Sequence, residues 1–220
     1  SGRGWMTVQN GGLAELRGVT LGWNSDSYGE VLVTGAGSRL ENHYGNLSIG
    51  RGANTSPNPG EGVMKLARGG VLYTHRDLNV GHSSYNPKGT MVFIVGDNGS
   101  GSIVPGRADV GATLNLRIAN LLMEVDPGVS LSIGQQFTLI DYAALHGSYN
   151  RFDNVPEGAV VLTPNHQAFR INYATDLGSG DLAVTATVVA PPTTDADSDD
   201  LLDAWEIRCF GAIDDPRADP

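Results

Sequence analysis

Cysteine is nearly missing: Cys209 is the single one among 220 residues. An intrachain disulfide framework is thereby excluded, and Cys209 is expected to be a small buried apolar residue rather than a reactive thiol. Basic residues are scarce as well. Lys and Arg number 14 against 24 Asp and Glu, for a formal net charge of −10 and an isoelectric point near 4.7. That balance excludes the basic face by which proteins bind nucleic acid. No apolar run approaches the ~20 residues that a membrane-spanning helix needs, so no transmembrane segment is expected. The N-terminus does not carry the pattern of a secretory leader; a leader, if one existed, is expected to have been removed or left out. One cysteine and five scattered histidines offer no zinc-ligand spacing. Gly50-Arg51-Gly52 and Gly99-Ser100-Gly101 lack the strand-to-helix setting of a phosphate loop or a nucleophile elbow and are turns.

Glycine, by contrast, is abundant: 30 of 220 residues, about twice the usual share. It recurs between short β-rich runs without a Gly-X-Y period, which points to an all-β chain rich in turns. Four tetrapeptides share the form apolar-polar-apolar-Gly: Val19 to Gly22, Leu47 to Gly50, Leu78 to Gly81 and Ala108 to Gly111. Each is preceded by another glycine turn (Gly11-Gly12, Gly35-Ala36-Gly37, Gly69-Gly70, Asp97-Asn98-Gly99). Before those turns lie alternating runs: Met6-Thr7-Val8, Val31-Leu32-Val33, Val63 to Leu66, and Met91 to Val95. Short strands such as Leu13 to Leu16 and Val71 to Tyr73 follow them.

Each unit of about 30 residues therefore consists of strand, glycine turn, strand, corner, strand and variable loop. Three such strands cannot bury their own apolar face. Stacking the units as coils lets each strand pair with the next coil and builds one interior. Period-two alternation then sends Leu, Ile and Val inward and Thr, Ser, Asn and Arg outward. The expected fold is an all-β, right-handed parallel β-helix, with the hand taken from the general crossover preference. An antiparallel sandwich with turns at similar spacing is the competing arrangement; repetition of the whole unit favours the stack.

The stretch VTGAGSRLENHYGNLSIGRG, residues 33–52, resembles the autotransporter-associated β-strand repeats of bacterial passenger proteins, and the resemblance extends over residues 6–190. Gly134-x-x-Phe137-x-Leu139-Ile140-x-Tyr142, followed by Leu145-x-Gly147-x-Tyr149, resembles the segment that closes such passengers. The expected organisation is a β-helical body over residues 1–189, with closing coils from about 112, and a linker over 190–194. An acidic tail occupies 195–220. The resemblance implies a secreted or cell-surface bacterial protein.

In the tail, Asp195, Asp197, Asp199, Asp203 and Glu206 occupy positions 1, 3, 5, 9 and 12 of a twelve-residue loop. Leu201, at position 7, would add its carbonyl. Oxygen ligands at alternating positions suit Ca²⁺, with the last carboxylate bidentate. Asp200 stands where such loops usually have glycine. The segment resembles dockerin-like or thrombospondin type 3-like calcium repeats. Asp214-Asp215-Pro216 to Asp219-Pro220 matches the start of a further repeat, so the tail is expected to be truncated.

Aligning the units on the apolar-polar-apolar-Gly element brings Gly18, Asn46, Asp77 and Arg107 into one column and Trp23, Arg51, His82 and Ala112 into another. Neither pairs two acids as glycoside chemistry requires. His75-Arg76-Asp77 is the densest titratable cluster, and His43, His146 and His166 are expected at the surface or hydrogen-bonded. No catalytic residue is assigned. The expected role is structural or adhesive, with homo-oligomers or fibres formed head to tail through exposed coil ends and a glycan or cell surface as partner. The alternative is a β-helix carbohydrate-active enzyme or a glycan-binding module, in which Trp5, Trp23, Tyr28, Tyr44, Tyr73 and Tyr85 would stack on sugars.

Overall fold

A computed structural model describes residues 2–24, 26–50, 60–81, 89–176 and 182–191. Its described residues contain strands and turns and no helix. The strands follow the alternation in the sequence. The first unit holds β1 (Arg3–Val8), β2 (Leu13–Leu16) and β3 (Val19–Leu21); the second β4 (Tyr28–Thr34), β5 (Arg39–Asn42) and β6 (Leu47–Ile49). The third holds β7 (Glu61–Ala67), β8 (Val71–Thr74) and β9 (Leu78–Val80). Then come β10 (Gly89–Asp97), β11 (Ile103–Val104), β12 (Arg107–Leu116), β13 (Ala119–Val125) and β14 (Gln136–Asn150). Finally β15 (Val160–Leu162), β16 (Ala168–Asp176) and β17 (Leu182–Val189) follow.

Equivalent strands of successive units pair in parallel. One ladder runs β1-β4-β7-β10-β13, a second β2-β5-β8-β12-β14, and a third β3-β6-β9-β12. Side chains of one type consequently stand above one another. Val33, Leu66, Phe93 and Met123 share a register position, as do Leu40, Leu72, Ala108 and Ile140 and Leu47, Leu78 and Leu114. All are buried in one hydrophobic core. From β14 onward the direction changes. β14 pairs antiparallel with β17, β17 with β16 and β16 with β15, so the sheets are mixed.

The corner glycines have a steric cause. Gly22, Gly50 and Gly81 all have positive φ. A Cβ at Gly81 would lie 1.6 Å from the Arg117 carbonyl oxygen. Facing them is a second column, Gly29, Gly62 and Gly89, in register along the first ladder. A Cβ at Gly62 would lie 2.3 Å from the Gly50 nitrogen. Two backbones meet there without room for a side chain.

The fourth tetrapeptide does not belong with the other three. Ala108-Asp109-Val110 pairs with Leu72-Tyr73-Thr74 in the second ladder, and the counterpart of Leu78-Asn79-Val80 is Leu114-Asn115-Leu116. In this unit β12 runs without interruption across the corner that separates β8 from β9. The glycine at 111 therefore marks a position inside a strand rather than its end.

The two ends of the ladders differ. The outer edge of β13 is covered. Its Leu121 N–H donates to the Asn154 side-chain oxygen and its carbonyl accepts from the Asn154 amide, both at 2.9 Å. The Val125 carbonyl accepts from Asn165, and the Ala119 carbonyl from the Asp153 N–H. Tyr173 holds this loop: its hydroxyl donates to the Val155 carbonyl at 2.7 Å and accepts from the Phe152 N–H. At the opposite end, β1, β2 and β3 form the outermost rung described, and Trp5 and Leu13 are exposed there.

Candidate functional site

The chemistry-bearing side chains gather on the outer face of the second ladder. Register places Glu15, Glu41, Tyr73, Asp109 and Asp141 in one column. Parallel neighbours lie ~4.8 Å apart, so carboxylates stand beside carboxylates. Two arginines one step away on the same face temper the charge. Arg39 ion-pairs with Glu41 at 2.6 Å and Arg107 with Asp109 at 2.6 Å. The Arg39 guanidinium also lies over the Tyr73 ring, 4.8 Å from its centroid, a favourable cation–π distance. Tyr73, Arg107, Asp109 and Asp141 line a shallow open cleft of about 310 Å³.

At the end of the same strands the chain turns a corner pinned by buried polar groups. Asn42 is fully buried. Its side-chain oxygen accepts from the Gly18 N–H at 2.8 Å, and its amide donates to the Gly45 carbonyl at 2.8 Å. Thr74, one unit on and also buried, lies within reach of the same amide. The residues after them are His43 and His75. Their backbone N–H groups donate to Leu16 and Asn42 respectively, which fixes both at the same corner of consecutive units. The two imidazoles stack at 5.0 Å, and Tyr73 meets His75 edge-on at 4.6 Å. His43 Nε2 lies 3.1 Å from Glu41 Oε2 and 3.2 Å from Glu15 Oε1. Ligand atoms of Glu41, His43 and His75 lie within 4.8 Å of one another.

Column assembly on this face differs from the sequence expectation. The columns chosen there follow the third ladder, and the acids stack in the second. Correct placement of the fourth unit adds Thr113 rather than Arg107 beside Gly18, Asn46 and Asp77. The Asp77 carboxylate bridges units, accepting from the Thr113 N–H at 3.1 Å and the Asn46 amide at 3.3 Å. The His43–His75 juxtaposition has no local signal, because the two residues lie 32 positions apart and meet only through register. Aligning the ends of the second strands, Leu16-Arg17, Asn42-His43 and Thr74-His75, reveals it. The proposed calcium ligands Asp195, Asp197, Asp199, Leu201, Asp203 and Glu206, together with Arg51, His82, Tyr85 and Cys209, lie outside the described residues.

A second hollow, of about 380 Å³, opens at the first rung and is lined by Trp5, Met6, Leu21, Trp23, Tyr28 and Val31 among others. Trp5 and Tyr28 are tilted rings 6.4 Å apart. The Tyr28 hydroxyl donates to Glu30; that bond, more than burial, pushes its pKa up to about 12 and lowers that of Glu30. Glu30 also pairs with Lys65 of the next unit at 2.9 Å. No protein-family model and no curated protein matches the chain.

Proposed function

We propose that the three-strand units form a right-handed parallel β-helix and that this stack is a structural or adhesive segment of a secreted bacterial surface protein, similar to autotransporter-associated passenger repeats, without catalytic activity. The observation that carries the reading is the unbroken parallel pairing of β1, β4, β7, β10 and β13 in one register. A repeated rung with an apolar inside and a polar outside is suited to extending a rigid surface rather than enclosing a substrate. The acidic tail is proposed to bind Ca²⁺ through Asp195, Asp197, Asp199, Leu201, Asp203 and Glu206. Copies of the chain are proposed to associate through the β1–β3 edge, where Trp5 and Leu13 are exposed and the strands have no outer partner among the described residues. Asn154 covers the β13 edge, so head-to-tail growth would have to use another strand edge at that end, such as that of β15.

Light scattering and negative-stain microscopy of the full chain in Ca²⁺ test this. Rod-shaped particles that pair in a Trp5- and Leu13-dependent way are expected. Compact monomers at micromolar concentration would remove the assembly role. A second reading has its own support. The cleft beside Tyr73, with Arg107, Asp109 and Asp141, offers the polar groups by which a polysaccharide is held. A screen of acidic and neutral polysaccharides for binding and for chain cleavage decides between a glycan-binding face, an enzyme and a bare scaffold wall.

A further inference from the structure

We infer that Glu41, His43 and His75 form a site for one divalent transition-metal ion of the Zn²⁺ class, with Glu15 in reach as a fourth ligand, stapling β2, β5 and β8 together on the outer face of the second ladder. Two nitrogens and a carboxylate oxygen are the donor set such ions prefer. Ca²⁺, which takes six or more oxygens, is poorly served, so the site is distinct in kind from the acidic tail.

The geometry is built by the backbone rather than by chance meetings of long side chains. Glu41 lies in β5, His43 follows its last residue Asn42, and His75 follows Thr74, the register partner of Asn42 one rung away. Ligands of a tetrahedral zinc ion at ~2.0–2.2 Å stand roughly 3.4 Å apart. Glu41 Oε2 and His43 Nε2 are already 3.1 Å apart. His75 completes the set by turning its exposed ring out of the stack, within the 4.8 Å that now spans the ligand atoms. Arg39 Nε lies 2.6 Å from Glu41 Oε1, so Glu41 would bind the ion through Oε2, which lies 3.1 Å from His43 Nε2, with the arginine as an outer partner. Convergence of Glu15 and Glu41 on a single imidazole nitrogen is also served by an N–H at that nitrogen. A metal-free, hydrogen-bonded His43 is the competing account.

Titration of the full chain with ZnCl₂, in Ca²⁺ excess to occupy oxygen-only sites, separates the two. One Zn²⁺ per chain is expected, with affinity lowered about tenfold or more by His43→Gln or by His75→Gln and the site lost in the double variant. Added Zn²⁺ should raise the melting temperature of the parent and not of the double variant. Asp195→Ala with Glu206→Ala should leave this Zn²⁺ binding unchanged. Cu²⁺ substituted into the parent should show coupling to two imidazole nitrogens by electron paramagnetic resonance, and to one in each single variant. His75 is exposed, so its variant keeps the fold, which circular dichroism verifies. Absence of stoichiometric Zn²⁺ binding, or equal binding by parent and double variant, overturns the site.

Discussion

In the parallel region a buried side chain has its counterpart directly above and below it, as Phe93 has Leu66 and Met123. In β14–β17 sheet neighbours are supplied largely by antiparallel strands close in sequence, and Phe137 and Phe169 meet across that region as tilted rings 6.5 Å apart. Polar contacts differ in the same way. Asn42 and Thr74 repeat one corner from unit to unit, whereas Asn154, Asn165 and Tyr173 each close a gap that occurs once. A repeated device fails along a column; a singular one fails locally. The first region owes its order to register between distant segments, the second to turns and to individual side chains that end the pattern.

Gly81→Ala is the strongest way to break the repeated region. Its Cβ would meet the Arg117 carbonyl at 1.6 Å from a backbone with φ of 76°, and a loss of about 3 kcal/mol or more is expected. Gly147→Ala is the matched control within β14, where a Cβ has nothing within 4 Å, and should stay within about 0.5 kcal/mol. Urea midpoints of the two variants read the contrast. Asn42→Ala strands the Gly18 N–H and the Gly45 carbonyl and should lose about 2 kcal/mol, again by urea titration. Asn154→Leu removes both partners of Leu121 and should lower stability by about 1–2 kcal/mol. Its distinguishing result is new association, seen by light scattering, because the β13 edge becomes available.

The smallest effect expected is one of pH. Burial pushes the Tyr173 hydroxyl up to about 12 from its ordinary value of 10.0, and Tyr142 is raised for the same leading reason. The folded state therefore holds these protons more tightly than the unfolded chain. The Tyr173 contribution to stability is complete below about pH 10 and is lost as pH rises through about 12. Tyr173→Phe should flatten that decline in urea midpoints taken across the range, in step with phenolate absorbance. A parent protein equally stable across that window would contradict the assignment.

The first-strand runs at Met6, Val31, Val63 and Met91 were legible because period-two alternation is local and survives without knowledge of partners. Corner glycines were legible at 22, 50 and 81 for the same reason. Asp109-Val110-Gly111 misled because a three-residue pattern carries no information about which ladder it joins; that is decided by pairing to residues far back in the chain. The acidic column was invisible for the same cause, since Glu15, Glu41, Asp109 and Asp141 become neighbours only through register. Leu139-Ile140 shows a subtler limit. Both are fully buried although adjacent, and the register with β17 shifts between Thr138 and Ile140, so strict alternation fails where the strand bulges.

The glycine corner has one more implication. Connections leaving the third strand of one unit for the first strand of the next occupy residues 22–27, 50–60, 81–88 and 117–118, so they range from two residues to eleven while the ladders on either side keep register. Chain length is thus decoupled from architecture at that single vertex. A grafted epitope or a protease recognition sequence placed in such a connection is expected to leave the ladders on either side in register.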